Sequence, residues 1–271
     1  MIGAGIDIHI AGLGVQGVDH LTLETDAILA ECNEVLYVDT GIATRAYLAA
    51  RCRRATALYD ESYAPGRGRV GAYRHMAARV VEAALDHPPV AFAMFGHPIV
   101  FAYAPFLIAD MARLLDLRVQ VLPAVSSLDC LFAAQMLDPS VSGLLIYEAT
   151  DLLLRRRPLM PDVPTLIWQV GNLETRLHSL RPGAPGRLFR FVRYLLEAYP
   201  PDHELIAYYA APHALLRSTS LRITLADLPE HVHALHAGVT LLVPPARIRP
   251  IADADLLARL DDPAHLDRIT R

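Results

Sequence analysis

Short apolar runs rich in β-branched and aromatic residues recur along this chain, separated by longer segments with helical spacing. That alternation limits the fold more than any other feature. The runs cover 8–11, 34–38, 90–94, 119–122, 143–147, 165–169, 205–209 and 239–243. Between them, 21–32, 69–86, 101–115 and 127–135 place apolar residues at helical intervals. Strands alternating with helices predict an α/β protein with largely parallel sheets. Fully apolar strands such as 90–94 suit a sheet covered on both faces. With 271 residues, the chain is long enough for one large or two modest domains. The clearest break follows Leu122, where Pro123 ends a strand and Ser126 opens a helix. It predicts units at 1–123 and 124–250, with a charged tail at 251–271 that reads as a terminal helix.

Charge and composition exclude several classes. All 25 basic residues are arginine and 29 residues are acidic, a net charge of −4. That balance argues against a nucleic-acid groove or a polybasic membrane contact. Without lysine there is no Schiff-base chemistry and no Walker A phosphate loop. Cys32, Cys52 and Cys130 are odd in number and far apart, which fits a reducing cytoplasm better than a disulfide framework or a zinc site. No signal peptide or membrane-length apolar run is present. The histidines of His231-Val232-His233-Ala234-Leu235-His236 lack the i,i+4 spacing and carboxylate of a helical metal site, so no metal is expected.

Gly12-Leu13-Gly14-Val15-Gln16-Gly17 satisfies GxGxxG after a strand, and Asp39 ends the next strand as a ribose-binding acid would. The helix of a dinucleotide fold, however, starts inside its glycines. Here Val18-Asp19-His20-Leu21 intervenes and Thr22 reads as the N-cap, so the turn is a loop with a delayed helix rather than a phosphate cradle.

A glycine pair after the first strand, a loop, and then Leu21-Thr22-Leu23 opening a helix resembles the tetrapyrrole methylase superfamily. Phe95-Gly96-His97-Pro98 stands where that superfamily carries Gly-Asp-Pro. The Gly-His-Pro form resembles the borosin peptide backbone α-N-methyltransferases. Tyr59, Tyr63, Arg69 and Tyr73 match the borosin tyrosine and arginine cluster, with Arg67 as an alternative arginine. Pro123-Ala124-Val125-Ser126-Ser127-Leu128-Asp129, Trp168-Gln169-Val170-Gly171 and Thr240-Leu241-Leu242-Val243-Pro244-Pro245 match later landmarks.

The resemblance implies two α/β domains of the tetrapyrrole methylase type, with S-adenosylmethionine in the interdomain cleft. It places Phe95, His97, Val100, Ser127, Gln169, Ala210, Val239 and Thr240 at the cofactor. It implies methylation of peptide backbone amides by a homodimer, or by a heterotetramer with two precursors. Residues 251–271 carry no separate apolar core segment, so the resemblance is to the split arrangement, with a separate precursor as substrate. Tyr73 is the leading general base and Arg69, four residues earlier on one helix face, its electrostatic partner. Tyr59 and Tyr63 would then hydrogen-bond the amide oxygen, although spacing does not choose among the tyrosines. Arg155-Arg156-Arg157 reads as a solvated run or a contact to an acidic leader, and Tyr208-Tyr209 as channel lining or packing.

Three alternatives have distinct signatures. A corrin or porphyrin carbon methyltransferase needs a basic cleft, an NAD-dependent oxidoreductase binds NADH without needing Tyr73, and an inactive homologue binds a precursor without changing its mass.

Overall fold

The computed structural model describes residues 5–63, 68–176, 183–213 and 215–270. Two five-stranded sheets carry the chain. The first joins β1 (Ile8–Gly12), β2 (Glu34–Val38), β3 (Ala55–Ala57), β4 (Val90–Met94) and β5 (Val119–Leu122) in the order β3-β2-β4-β1-β5. Every neighbouring pair is parallel. Helices α1 (Leu23–Glu31), α2 (Ile42–Arg51), α3 (Tyr59–Ser62), α4 (Arg69–Asp86) and α5 (Ala104–Leu114) belong to this half.

Side chains alternate across a strand, so each buried strand feeds two cores. Ile8, Ile10, Leu36 and Phe92 pack on one face against Met76 and Val80 of α4 and Ile108 of α5. Ala11, Val35, Tyr37, Ala91 and Ala93 face the other way, onto Ile28 and Leu29 of α1 and Leu48 of α2. The helix after β1 therefore covers one face and the helix after β4 the opposite face. β1 and β4 are adjacent, which opens a crevice at the carboxyl ends of the strands, the place where open α/β sheets bind ligands.

The second sheet departs from the parallel expectation. It joins β6 (Leu145–Glu148), β7 (Thr165–Trp168), β8 (Glu204–Tyr209), β9 (Thr219–Thr224) and β10 (Thr240–Val243) in the order β6-β7-β10-β8-β9. Only β6 and β7 run parallel; the other three pairings are antiparallel. For β8 and β9 the reason is connection length: the link between Tyr209 and Thr219 is shorter than the dozen or more residues a parallel crossover requires. Helices α6 (Ser127–Gln135), α7 (Ala149–Leu154) and α8 (Phe189–Leu195) belong here, and α9 (Ala254–Arg259) and α10 (Pro263–Thr270) form the tail. Phe191 and Leu195 of α8 and Leu152 of α7 cover Ile167, Leu205 and Leu241 on one face. On the other face, Leu166, Ile206 and Leu242 meet Leu131 of α6 and Val15, which follows β1, so the loop after the first strand is built into the second sheet. No helix among the described residues is long and apolar enough to cross a membrane.

The α1–α2 pair carries an acid-sensitive tie. Hydrogen bonds from Arg51 and then Tyr47 hold the Asp26 carboxyl down from the usual 3.8 to about 2, with Arg51 in a two-point contact at 2.8 Å. A carboxylate depressed by folding stabilises the native state above its unfolded pKa, and that contribution disappears as pH falls through the folded value. Wild type is therefore expected to lose melting temperature between about pH 4 and pH 2 more steeply than Asp26→Asn. Parallel acid-melting curves for the two proteins would contradict this.

Candidate active site

Four strand ends from the first sheet and three loops from the second converge on one cavity. After β1, Gly14 and Gly96 form an antiparallel bridge, with Gly14 N donating to Gly96 O at 3.3 Å and Gly96 N to Gly14 O at 2.9 Å. A Cβ on Gly12 would lie 2.3 Å from Gly96 O, and one on Gly14 2.3 Å from His20 Cβ. The glycines of the GxGxxG stretch thus let protein segments approach one another. A short 3-10 turn, Gly17–His20, follows, and α1 begins only after the Thr22 cap, whose side chain accepts from Thr25 N.

The cavity measures about 360 Å³ and is lined by Phe95, His97, Val100, Ser127, Gln169, Ala210, Val239 and Thr240, together with Tyr63, Phe101, Trp168 and Tyr209. All eight cofactor candidates thus share one space although they span both sheets. Its volume falls in the range of small-molecule pockets, a few hundred Å³ with a few polar groups fixing orientation. Gly96 has a left-handed φ of 73°, and a Cβ there would meet nothing within 4 Å. Its backbone is therefore bare toward open space, as close approach of a ligand requires.

His97 Nδ1 accepts from Ile99 N at 3.1 Å, which places the proton of a neutral ring on Nε2. Beside it, Ser126 caps α6 in a reciprocal capping box with Asp129. Burial works to raise the Asp129 carboxyl, but hydrogen bonds from the Ser126 hydroxyl and backbone, with His97 nearby, outweigh it and leave it lowered. Ser126→Ala is expected to cost about 1 kcal/mol and to lower Tm by roughly 2–4 °C. An unaltered Tm would show the cap to be dispensable.

Two non-glycine residues on the cavity wall hold left-handed backbones, Phe101 at φ 54° and Gln169 at φ 61°. Such conformations persist where surrounding contacts over-determine them. Gln169 supplies those contacts: its Nε2 donates to Ala237 O at 3.3 Å, and its Oε1 accepts from Asn172 Nδ2 at 2.8 Å. The Phe101 ring lies 4.8 Å from that of Trp168. This irregular backbone starts α5 at Ala104 and ends β7 at Trp168, inside the expected bounds of 101–115 and 165–169.

Through Tyr63, Phe101 and Gln169 the cavity adjoins a chamber of about 910 Å³ that holds Arg69, Tyr73, Tyr103, Glu148, Asp151, Arg155 and Arg176. Burial first, then the neighbouring tyrosines and a hydrogen bond with Tyr73, push the Tyr63 hydroxyl well above the usual phenol range; the charge of Arg69 pulls the other way. Tyr63 is thus held protonated against Tyr73. Arg69 also donates to Thr175 O at 2.6 Å, tying the start of α4 to the second half of the chain. The Tyr59 ring lies against that of Tyr63, tilted by 52° with centroids 4.9 Å apart, but it lines a different recess, of about 400 Å³, with Asp39, Thr44 and His236. Burial and Asp60 raise its hydroxyl. The structure therefore brings Tyr63, Arg69 and Tyr73 to one chamber and sets Tyr59 at its back. Arg67 lies outside the described residues.

The remaining sequence features separate cleanly. Tyr208 is buried, while Tyr209, on the opposite face of β8, lines the cavity. Arg155 and Arg157 pair with Asp151, and Arg156 with Glu197. His231 and His233 belong to a 3-10 segment, and no group of three metal-ligating side chains occurs among the described residues. Sequence reasoning missed Phe101, Trp168, Glu148 and Arg176 as lining residues. Trp168 stood in a recognised landmark, so it had a signal; the other three had none.

A model of the Tetrapyrrole (Corrin/Porphyrin) Methylases matches residues 7–211, which takes in the first sheet, both glycine loops and β8. The chain belongs to the tetrapyrrole methylase family. It is similar in sequence to the methyltransferase/type I borosin cyclic peptide precursor sveMA of Serendipita vermifera, 28% identical over 94% of this chain and 62% of that protein. A second relative is the methyltransferase/omphalotin A precursor ophMA of Omphalotus olearius, 28% identical over 94% of this chain and 61% of that protein. The chain thus spans about three-fifths of the length of these relatives. In fold it is similar to uroporphyrin-III C-methyltransferase from Thermus thermophilus, solved with S-adenyl homocysteine. That match has a TM-score of 0.61 and 16% identity, and covers 88% of this chain and 96% of the other. Tetrapyrrole methylases of this fold and the present chain thus share the two-sheet α/β architecture.

Proposed function

We propose that this tetrapyrrole methylase family member is an S-adenosylmethionine-dependent α-N-methyltransferase acting on backbone amides of a ribosomally made precursor peptide. One observation carries the reading: a single cavity gathers all eight cofactor candidates, and Tyr63 stands on the wall it shares with the chamber of Arg69 and Tyr73. The similarity to borosin proteins over most of the chain supports it. The cavity fits the cofactor by its volume, by the bare Gly96 backbone, and by the polar side chains of Ser127, Gln169 and Thr240.

An amide nitrogen is a poor nucleophile because its lone pair is delocalised into the carbonyl. The chamber addresses that with three groups. Tyr73, entering the step as a phenolate beside the Arg69 guanidinium, takes the proton from the amide nitrogen and becomes the neutral phenol. The Tyr63 hydroxyl, kept protonated, donates to the peptide oxygen as it gains imidate character, and Arg69 lends positive charge beside both. When bound, S-adenosylmethionine supplies an electrophilic methyl carbon on a cationic sulfur. The loops of Gly96–Val100 and Gln169 hold the reacting atoms close and in line, a positioning effect.

The same reading divides the chain into 1–123, 124–250 and the tail 251–271, and places it in the cytoplasm, where its scattered thiols stay reduced. It also takes the working form to be a homodimer. Val70, Phe101 and Tyr103 stand exposed around the chamber, and a second copy would cover them; sedimentation reads that directly. The decisive experiment mixes the protein with S-adenosylmethionine and the part of the omphalotin A precursor protein outside the aligned stretch, supplied as a separate chain. Methyl-sized mass increments on backbone nitrogens support the reading. Methylation of uroporphyrinogen instead would return the chain to carbon methylation.

A further inference from the structure

Glu148 ends β6, opposite Trp168 of β7 and so next to Gln169. It lines both the 910 Å³ chamber and an adjoining space of about 610 Å³. One carboxylate oxygen, Oε2, accepts from Asp151 N at 2.6 Å and caps α7. The other, Oε1, is shielded from solvent and has no hydrogen-bond partner among the described residues. The remaining acids of the two spaces are engaged: Asp151 takes Arg155 and Arg157, and Glu174 takes Arg190 at 3.1 Å. A guanidinium that could serve it, Arg69, gives Nη2 to Thr175 O.

A carboxyl oxygen shut away from water without a donor is costly, and such an exception calls for an explanation. Capping alone does not give one. Aspartate, serine and asparagine are the preferred caps, and a glutamate adds a methylene that carries its second oxygen farther from the helix. An extended peptide entering the chamber brings the missing group. Each of its N–H donors loses water on entry and needs an acceptor. A carboxylate is a strong one. A metal ion is a poor alternative, since no group of three ligating side chains is present among the described residues.

We propose that Glu148 is a positioning residue for the peptide. On peptide entry the Glu148 side chain turns Oε1 into the chamber, where it accepts a backbone N–H from a residue beside the one being methylated and so fixes which amide faces Tyr73. The proposal rests on the function proposed above. Register fixed in this way gives the site a preference for one amide per binding event that apolar contacts alone would not supply.

Two substitutions and one change in the substrate test it. Glu148→Gln keeps the cap through its amide oxygen but turns the free acceptor into a donor. Glu148→Asp keeps the charge and withdraws it. Both are expected to raise KM for the methylated peptide about tenfold while kcat and Tm stay near wild type. Synthetic versions of that peptide, each with one amide replaced by an ester, delete single N–H donors. At one position, next to the methylated residue, the ester should weaken wild type about tenfold and Glu148→Gln not at all. The proposal is overturned if KM is unchanged in Glu148→Gln, or if the ester and the substitution multiply at every position. Loss of Tm with equal losses for every substrate would make Glu148 purely a cap, which also overturns it. Should wild type methylate no peptide at all, it is the functional reading that fails, and this proposal with it.

Discussion

Tyr73→Phe is expected to slow peptide methylation by about 10²–10⁴-fold, the range a positioned general base contributes. The substitution removes one oxygen from a half-buried ring of α4 that packs against the core of the first sheet and lies 6.1 Å from Tyr103, so Tm and cofactor affinity should stay near wild type. Tyr63→Phe is the companion variant. Its hydroxyl is held protonated by burial and by Tyr73, so its loss removes a hydrogen bond to the peptide oxygen and should cost about tenfold. The two are told apart by counting methyl increments against time. Reversed magnitudes would move the proton-accepting role to Tyr63, and wild-type rates for Tyr73→Phe would remove tyrosine base catalysis from the mechanism.

The second large effect belongs to a residue that touches no reacting atom. Gly12→Ala should destabilise the protein by about 3 kcal/mol, lowering Tm by roughly 6–12 °C. The added Cβ would lie 2.3 Å from Gly96 O, 2.5 Å from Ala124 Cβ and 2.8 Å from Pro98 Cδ. The first of these is backbone that cannot swing aside. Relief comes only by parting the β1 and β4 loops, which breaks the Gly14–Gly96 bridge and widens the cofactor cavity. Affinity for S-adenosylmethionine should therefore fall together with Tm, as calorimetric titration would show. A variant that melts like wild type and binds the cofactor normally would mean that the close approach of these loops is not needed.

Much of the first half of the fold was legible because β1, β2 and β4 are buried along nearly their whole length and α1 opens on a side-chain cap. β1, β2, β4 and β5 fall within a residue of their expected bounds, and Thr22 and Ser126 cap the helices they were expected to open. The second sheet was harder. β9 is an edge strand with Ile223 as its buried residue, so its pattern lacks the apolar signal. In the first sheet the exception is β3, which is three residues long and gains its strand character only by pairing with β2. Both owe their structure to neighbours distant in sequence. The same holds in the site. Tyr63, Arg69 and Tyr73 were singled out by the resemblance of their segment to the borosin cluster. The grip of Arg69 on Thr175, 106 positions away, and the orphaned oxygen of Glu148 arise only once the two halves meet.

The contact between Phe101 and Trp168 has a practical side. Trp168 is the sole tryptophan of the chain, and it sits where the two halves meet, on the cavity wall. Excited at the red edge, where tyrosine does not absorb, the protein emits from this one indole. Its fluorescence therefore reports on a single locus, without any label. Quenching or a spectral shift on adding a ligand reads occupancy of that cavity, and stopped-flow traces would time the entry of cofactor and peptide separately.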